Sequence, residues 1–333
     1  MTEKQRLIDV LDGKVTDRPP VICPGGMMNA AVTEVVEEIA NNHNTDVDSM
    51  VEAAIKVREI TGFENYGVPF CMTIESEPFD VEVDLGSKLV EPRITEYNEE
   101  VLEHLDEIQV KHSERALSVL EAIARLKNDE IPVIGNITGP MSVVTSVIEP
   151  TDYYKMMRKD RDKAKKFLEV VTDYLIQFSL EMIDRGADLI AMSDPSATGE
   201  ILGRKNFEEF MIPMYRRISE AVHGRDKKII IHICGRSRTI LESLNESGAD
   251  SLSFDSVVGI GQAREALRVP IMGNVSTQLL DQGEVASIRV HTEGVIKNGT
   301  AIVSPACGLA MSTPVKNLQA MTNTVKGDRD GNS

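Results

Sequence analysis

The chain has 333 residues, of which 41% are hydrophobic and 27% are charged. This is the composition of a globular protein, and no apolar run approaches the roughly 20 residues that a membrane helix needs. The formal net charge of −17 repels phosphate backbones and anionic lipid, so we expect neither nucleic acid nor a membrane as a partner. Met1 to Gly13 predicts an amphipathic helix without a cleavage site, which favours a cytoplasmic location.

Helix and strand signals alternate along the whole chain. The first helix opens with Thr2 and Gln5 at capping-box spacing and stops at Gly13. Eight short apolar runs bounded by turn residues then predict buried parallel strands, at 19–25, 63–70, 131–139, 187–194, 228–235, 249–256, 269–276 and 300–308. Periodic stretches predict helices at 46–60, 113–126, 160–185 and 238–246, with caps at Gly62, Gly186 and Gly248.

This alternation predicts a single (β/α)8 barrel over residues 1–325, extended by the N-terminal helix. The polar tail at 326–333 is expected to be disordered. A doubly wound open sheet is the alternative fold. It would usually carry a Gly-rich phosphate turn after its first strand, and CPGGMMN, at 23–29, does not match one.

Four residues that can bind a metal fall at the ends of predicted strands. The four cysteines of the chain are too few and too scattered for a disulfide framework. Residues two apart in a strand share a face, so His232 and Cys234 point the same way. Cys307 and Asp255 end two further strands at the rim where barrels build their active sites. One imidazole and two thiolates are typical of a Zn²⁺ site with an exchangeable position, which Asp255 would hold at rest. Plain burial of these side chains is the alternative.

Several segments make the chain resemble a known family. They are YGVPFCMT (66–73), IPVIGNITGP (131–140), ADLIAMSDP (187–195), IHICG (231–235), MGNVST (272–277) and SPACGLAMSTP (304–314). The HxC pair and the distal Cys in an ACGL context resemble the uroporphyrinogen-decarboxylase-like methyltransferases of the methylcobamide:coenzyme M type. The resemblance implies a (β/α)8 barrel with zinc on His232, Cys234 and Cys307, and with a carboxylate at Asp255. The decarboxylase itself grips its substrate with an Arg-rich N-terminal segment, and CPGGMMNAAVTE has no Arg.

The resemblance also implies a reaction. A methyl group would pass from a methylated corrinoid to a thiol such as coenzyme M, with Zn²⁺ lowering the pKa of that thiol. Tetrahydrofolate as the acceptor, or transfer from a small methylated donor to cobalt(I), are alternative reactions. A corrinoid-binding or assembly partner that retains the barrel is the alternative without catalysis. The chain lacks a cobalt-ligating loop of the Asp-x-His-x-x-Gly type, so we expect the corrinoid to arrive on a partner protein.

Other residues near the strand ends are candidates for supporting roles. Asp194 would hold a catalytic water or the second proton of His232, or would cap the turn that follows it. Asn136, Asn274 and Ser276 would orient the substrate, or would satisfy loops. Arg236 would pair with an acidic group of the acceptor, or would be solvated. Five methionines would face the corrin ring, or would fill the core: Met27, Met28, Met72, Met192 and Met311.

Overall fold

The structure is a computed structural model that describes residues 1–108 and 110–328. Residues 329–333 of the predicted tail lie outside the described residues. The helices are α1 (Glu3–Leu11), α2 (Thr33–Val36), α3 (Val47–Thr61), α4 (Glu114–Leu126), α5 (Pro140–Val147), α6 (Pro150–Lys159), α7 (Arg161–Arg185), α8 (Gly199–Asn206), α9 (Ile212–His223), α10 (Leu241–Leu244), α11 (Ile260–Ala266), α12 (Thr277–Gln282), α13 (Val285–Lys297) and α14 (Val315–Lys326). The strands are β1 (Tyr66–Val68), β2 (Glu82–Asp84), β3 (Arg93–Glu96), β4 (Val133–Thr138), β5 (Leu189–Ser193), β6 (Lys228–Ile233), β7 (Ser251–Phe254) and β8 (Ile271–Met272).

Six of these strands form one parallel sheet in the order β1-β4-β5-β6-β7-β8. Its two edges are joined through the first and the last predicted strands, which appear as single parallel bridges. Val21 bridges Val303, and Ile302 bridges Met272. On the other side, the Glu64 amide donates a hydrogen bond of 2.9 Å to the carbonyl of Val21. The ring is therefore continuous, and the prediction of a (β/α)8 barrel is confirmed.

The barrel interior is apolar at its N-terminal end. A cluster of inward-facing side chains there includes Ile134, Leu189 and Ile230 from three successive strands of the sheet. Leu7 belongs to the same cluster, together with Val10 and Leu11 of helix α1. The Thr2 hydroxyl accepts the Gln5 amide at 3.1 Å and so begins this helix, as predicted. Helix α1 therefore closes one end of the barrel and leaves the opposite end for polar side chains.

The caps of the long helices match the sequence. Asp46, Ser113 and Asp160 each accept a backbone amide at the start of α3, α4 and α7, and Gly62 and Gly186 follow α3 and α7 at positive φ. The helix predicted at 238–246 is wrong in extent. Only the single turn α10 forms, and Asn245 rather than Gly248 ends it. The reason is local, because Gly235 turns the chain at φ 65 and residues 235–240 become a loop on the barrel rim.

Candidate metal centre

Strand β6 presents its last side chains at the polar end of the barrel. Nε2 of His232 lies 3.1 Å from Sγ of Cys234, two residues later on the same face. Sγ of Cys234 lies 3.1 Å from Sγ of Cys307, which follows the last bridge of the barrel at Pro305. The three donor atoms all lie within 4.8 Å of one another. The structure thus gathers three of the four predicted ligands into one group.

Ser253 fixes the orientation of the histidine. Strands β6 and β7 pair His232 with Ser253 in register, and Nδ1 of the imidazole lies 3.0 Å from the serine hydroxyl. A proton on Nδ1 that bonds this hydroxyl leaves the lone pair of Nε2 directed at the cysteines. The sequence analysis missed Ser253. Its signal was present, because Ser253 stands two residues before Asp255 and shares its face.

The two cysteines are free, and their sulfurs lie within hydrogen-bond distance of each other, so that one thiol donates its proton to the other sulfur. The hydrogen bond from Cys234, together with the neighbouring imidazole of His232, lowers the pKa of Cys307 to about 5. The same bond, with burial, raises the pKa of Cys234. A cation that binds both sulfurs would replace that proton. One imidazole nitrogen and two thiolates fit a soft divalent ion such as Zn²⁺, with a fourth position left for another donor.

Asp255 does not belong to the group of three donors. Its side chain accepts hydrogen bonds of 3.2 Å from the Ser256 hydroxyl and from the Val257 amide, and so stabilises its own turn. The carboxylate is close enough to raise the pKa of Cys234 by charge repulsion. Its assignment as the fourth ligand stays a prediction.

A methionine occupies the space beside the thiols. Sδ of Met27 lies 3.5 Å from Sγ of Cys234. Met27 is one of five methionines near predicted strand ends, and nothing in the local sequence distinguishes it from the others. Its contact depends on how the loop after the first strand crosses the top of the barrel.

Asp194 bonds backbone amides and hydroxyls that support the fold. It does not orient His232, whose Nδ1 faces Ser253. The Asp194 side chain is fully buried and accepts the amides of Met141 and Ser142 at 3.1 and 2.8 Å. The hydroxyls of Ser142 and Tyr215 also donate to it, at 2.7 and 2.9 Å. The carboxylate therefore caps helix α5 and not the turn that follows it. Burial raises its pKa.

The three residues proposed to orient a substrate support loops in this structure. The Asn136 amide donates to the carbonyls of Pro24 and Val68. The Asn274 amide donates to those of Asp255 and Val258, at 3.1 and 2.8 Å. The Ser276 hydroxyl accepts the Leu279 amide at 3.3 Å and begins helix α12. A role in substrate binding stays a prediction for all three.

Met192 and Arg236 lie in contrasting places. Met192 is fully buried in the core that includes the helices around the barrel, whereas its neighbour Ala191 belongs to the inner cluster. Strand alternation thus points Met192 away from the barrel interior, so its placement at a corrin ring is wrong. The Arg236 side chain is 78% exposed on the loop after Cys234 and lies 3.7 Å from Glu200. It remains available to a ligand at the rim.

These features define a class: a closed parallel barrel with an imidazole and two thiols gathered at the C-terminal ends of its strands. None of the helices in the described part of the chain is long and apolar enough to cross a membrane. The chain belongs to the uroporphyrinogen decarboxylase (URO-D) family, whose sequence profile matches residues 2–327. The family resemblance inferred from the sequence is confirmed.

Several known proteins are similar to this chain over nearly their whole length. The chain is 26% identical to methylcobamide:CoM methyltransferase MtaA of Methanosarcina barkeri, over 96% of both proteins. It is 28% identical to methylcobamide:CoM methyltransferase MtbA of Methanosarcina mazei, over 98% of both. Among solved structures, a methyltransferase from Methanosarcina mazei superimposes with a TM-score of 0.89 and 25% identity, covering 98% of this chain and 99% of the other.

Proposed function

We propose that this protein is a zinc-dependent methyltransferase that moves a methyl group from a methylated corrinoid, carried by a partner protein, to a thiol such as coenzyme M. The observation that carries the proposal is the group formed by His232, Cys234 and Cys307 at the open end of the barrel. The names of the relatives, methylcobamide:CoM methyltransferases, support the choice of donor and acceptor.

The roles follow from the donor set. His232, Cys234 and Cys307 would hold the ion, and Ser253 would keep Nε2 of the imidazole directed at it. Bound zinc would supply a Lewis acid that lowers the pKa of the acceptor thiol. The thiolates of Cys234 and Cys307 would keep that sulfur electron-rich. The acceptor thiol would release its proton to water, and its sulfur would form a bond to the methyl carbon. The methyl group would leave the corrinoid substrate, whose cobalt–carbon electron pair would stay on cobalt as cobalt(I).

Arg236 is the residue we propose for an acidic group on the acceptor. Its guanidinium is exposed on the loop that follows Cys234 and has a long contact, of 3.7 Å, with Glu200. Exposed ion pairs of this kind contribute about 0–1 kcal/mol, so an anionic ligand can compete for the guanidinium. We expect Arg236→Gln to raise the KM for coenzyme M and to leave the KM for the neutral thiol 2-mercaptoethanol unchanged. Equal effects on both thiols would contradict this role.

The test of the proposed function combines metal analysis with a methylcobalamin demethylation assay followed by absorbance. Coenzyme M and tetrahydrofolate are offered separately as acceptors. We expect about one zinc per chain and turnover that depends on the thiol. Turnover with tetrahydrofolate alone would overturn the thiol as the methyl acceptor. Bound zinc without turnover on either acceptor would overturn methyl transfer as the reaction.

A pair of cysteine variants links the centre to the activity. Cys307→Ser should lose both zinc and turnover, because it removes one of the two thiolates. Cys71→Ser is the matched control, since Cys71 is buried outside the donor group and contacts Nη2 of Arg115 at 2.9 Å. It should keep zinc. Full zinc in Cys307→Ser would contradict the metal site.

A further inference from the structure

A long excursion separates strand β1 from the helix that follows it. Strand β1 ends at Val68 and helix α4 begins at Glu114, whereas connections from a strand to its helix in α/β folds are usually about 2–6 residues long. Because the excursion leaves the C-terminal end of β1, it starts at the end of the barrel where the candidate metal centre lies. It contains the hairpin of β2 and β3. Connections of this length in a compact domain usually carry a function.

The excursion includes an acidic segment, which we define as residues 80–107. The segment has ten Asp and Glu residues against two Lys and Arg residues, and all ten acidic residues are exposed. Both cations are already engaged. Lys88 donates to the Ile39 carbonyl at 2.9 Å. Arg93 pairs with Asp84 at 3.0 Å. Nearly half of the net charge of −17 therefore lies on this one surface segment.

Two of these carboxylates face each other across the hairpin. Glu82 of β2 and Glu96 of β3 are partners in its register, and both are exposed. The Cβ atoms of such partners lie about 4.5–5.5 Å apart, and like charges placed opposite each other destabilise a pair of strands. The free protein thus carries a repulsion that a cation bound between the two carboxylates would relieve. This pairing is independent of the total charge, and it indicates a positively charged partner.

Large hydrophobic side chains are exposed on the same segment. Four of the ten that are exposed in the described part of the chain lie here, each between 41% and 54% exposed: Leu85, Leu89, Val90 and Tyr97. Exposed apolar groups with charged residues around them are typical of a surface that binds another protein. A small cation alone would not account for the apolar groups. A protein surface with Lys and Arg residues around an apolar patch matches both features.

The hairpin is fixed against the loop that borders the candidate metal centre. Nδ2 of Asn29 donates to Oε1 of Glu91 at 2.9 Å, and to the Phe70 carbonyl at 3.0 Å. Asn29 lies two residues after Met27, whose Sδ is 3.5 Å from Sγ of Cys234. The acidic segment is therefore held beside the opening of the barrel and not on a remote face of the molecule.

We propose that the acidic segment is the docking surface for the protein that carries the corrinoid, and that this protein presents Lys and Arg residues around an apolar patch. The inference rests on the proposed function for the corrinoid as the methyl donor. A corrinoid held on a protein can reach the candidate metal centre only when its carrier rests on this end of the barrel. A second copy of the chain is a poor fit, because it would bring the same net charge of −17. Opposite charges on the two surfaces raise the rate of association and fix the orientation of the complex.

The test compares two methyl donors, with coenzyme M as the acceptor for both. One donor is the corrinoid protein, purified by its cobalt content from the organism that makes this chain and then methylated. The other is free methylcobalamin. We expect Leu89→Ser and Val90→Ser, made together, to lower kcat/KM for the corrinoid protein by about tenfold and to leave kcat/KM for free methylcobalamin unchanged. Val290→Ser is the matched control, because Val290 is 70% exposed on helix α13, outside the segment. Equal losses with both donors, or no loss with either, would overturn the docking surface.

Salt supplies a second readout. Dissolved ions screen exposed charges over about 10 Å at 0.1 M salt, so kcat/KM for the corrinoid protein should fall as sodium chloride is added, and kcat/KM for free methylcobalamin should not. Glu82→Gln with Glu96→Gln should reduce that dependence on salt. Glu59→Gln with Glu265→Gln is the matched control, since it removes two exposed carboxylates outside the segment. The same salt dependence in both double variants would contradict docking through the acidic segment.

The inference and the proposed function fail in distinguishable ways. No transfer from either donor would overturn the reaction. Transfer from free methylcobalamin alone would support the reaction and overturn the corrinoid protein as the partner. Equal transfer from the corrinoid protein in the wild type and in the double serine variant would support the reaction and overturn the docking surface. A change in the oligomeric state of the double serine variant alone, measured by sedimentation, would overturn it in favour of an interface between copies of this chain.

Discussion

Ser253 is the residue that we expect to control how tightly His232 binds a metal. Its hydroxyl is the partner of Nδ1, at 3.0 Å, and it is fully buried on the neighbouring strand. Partners of this kind typically change metal affinity by about 10–100-fold. We expect Ser253→Ala to weaken zinc binding by about tenfold, measured by competition with a chromophoric chelator. Ser251→Ala is the control, since Ser251 lies on the same face of β7 and its hydroxyl donates to the Pro270 carbonyl. Equal losses in both variants would point to a general effect on the strand.

His43 makes the stability depend on pH. It is buried with its ring edge against Phe70, and its Nδ1 has no hydrogen-bond partner among the described residues. Burial lowers its pKa from 6.5 to about 4. The unfolded chain therefore binds this proton first as the pH falls, and stability is lost between pH values of about 6.5 and 4. The contribution is at most roughly 3 kcal/mol.

Urea unfolding at a series of pH values measures this effect. We expect His43→Gln to flatten the loss of unfolding free energy over that range. The exposed His104 is the matched control, and His104→Gln should keep the wild-type profile. A profile that is the same for His43→Gln and the wild type would show that other groups dominate.

For individual residues of the site, the alternation of side chains along a strand was the most useful signal in the sequence. It placed His232 and Cys234 on one face, and the same rule applied to Asp255 would have found Ser253. The same rule also gives the outward direction of Met192, which the sequence analysis had placed at the corrin ring. Met27 was beyond its reach, because the position of a loop tip over Cys234 depends on the whole ring of strands.

Helix α5 depends on a cap from a different strand. Asp194 follows β5 and accepts both the Met141 and the Ser142 amides at the start of the helix. In Asp194→Asn the second oxygen becomes an amino group that faces the Met141 amide, so a buried donor loses its acceptor. This loss outweighs the relief of burying a charge. We expect a cost of about 1–3 kcal/mol in the free energy of unfolding.

The comparison for this variant is Asp46→Asn. Asp46 caps helix α3 by accepting the Ser49 amide at 2.9 Å, and its side chain lies near the surface. Asparagine is as good a cap as aspartate at such a position, so we expect little change in the urea midpoint. Similar losses in the two variants would show that α5 does not depend specifically on Asp194.

The elements that the sequence predicts well are those whose signals are local. Helices α3, α4 and α7 have both their caps and their apolar periodicity in the sequence, and β4, β5 and β6 are short apolar runs between turn residues. The hairpin of β2 and β3 was missed. Its turn lacks an Asn-Gly or Asp-Gly pair, and only the middle residue of each paired segment is partly buried. The short helix α10 shows that apolar periodicity alone overestimates the length of a helix when its first residues belong to a loop.

The two ends of the barrel have different roles: an apolar cluster stabilises the N-terminal end, and the candidate metal centre lies at the C-terminal end. Leu7 of helix α1 is fully buried in the cluster at the N-terminal end, whereas the candidate metal centre of His232, Cys234 and Cys307 lies at the other end. We expect Leu7→Ala to cost about 2–5 kcal/mol in the free energy of unfolding, measured in urea. Leu117→Ala is the control, because Leu117 is 52% exposed on a helix, and its cost should stay within about 0.5 kcal/mol.

Leu7→Ala also tests whether the two ends of the barrel are independent. While folded, Leu7→Ala should bind zinc as tightly as the wild type, because the cavity it leaves is at the closed end of the barrel. A parallel loss of zinc affinity would show that the two ends are coupled. The barrel was predictable at this scale because eight units repeat one pattern. Its closure through isolated bridges, such as the one between Val21 and Val303, has no local signal in the sequence.

The short distance between the two thiols has a further consequence for how the protein behaves in air. Sγ of Cys234 and Sγ of Cys307 are 3.1 Å apart although 73 positions separate them in the chain. Without a metal between them, an oxidant such as dioxygen can accept two electrons and two protons from the pair and link the sulfurs covalently. That crosslink would use up the same atoms that we propose as ligands of the ion. A bound metal would therefore also act as a protecting group, and we expect oxygen sensitivity in the metal-free protein.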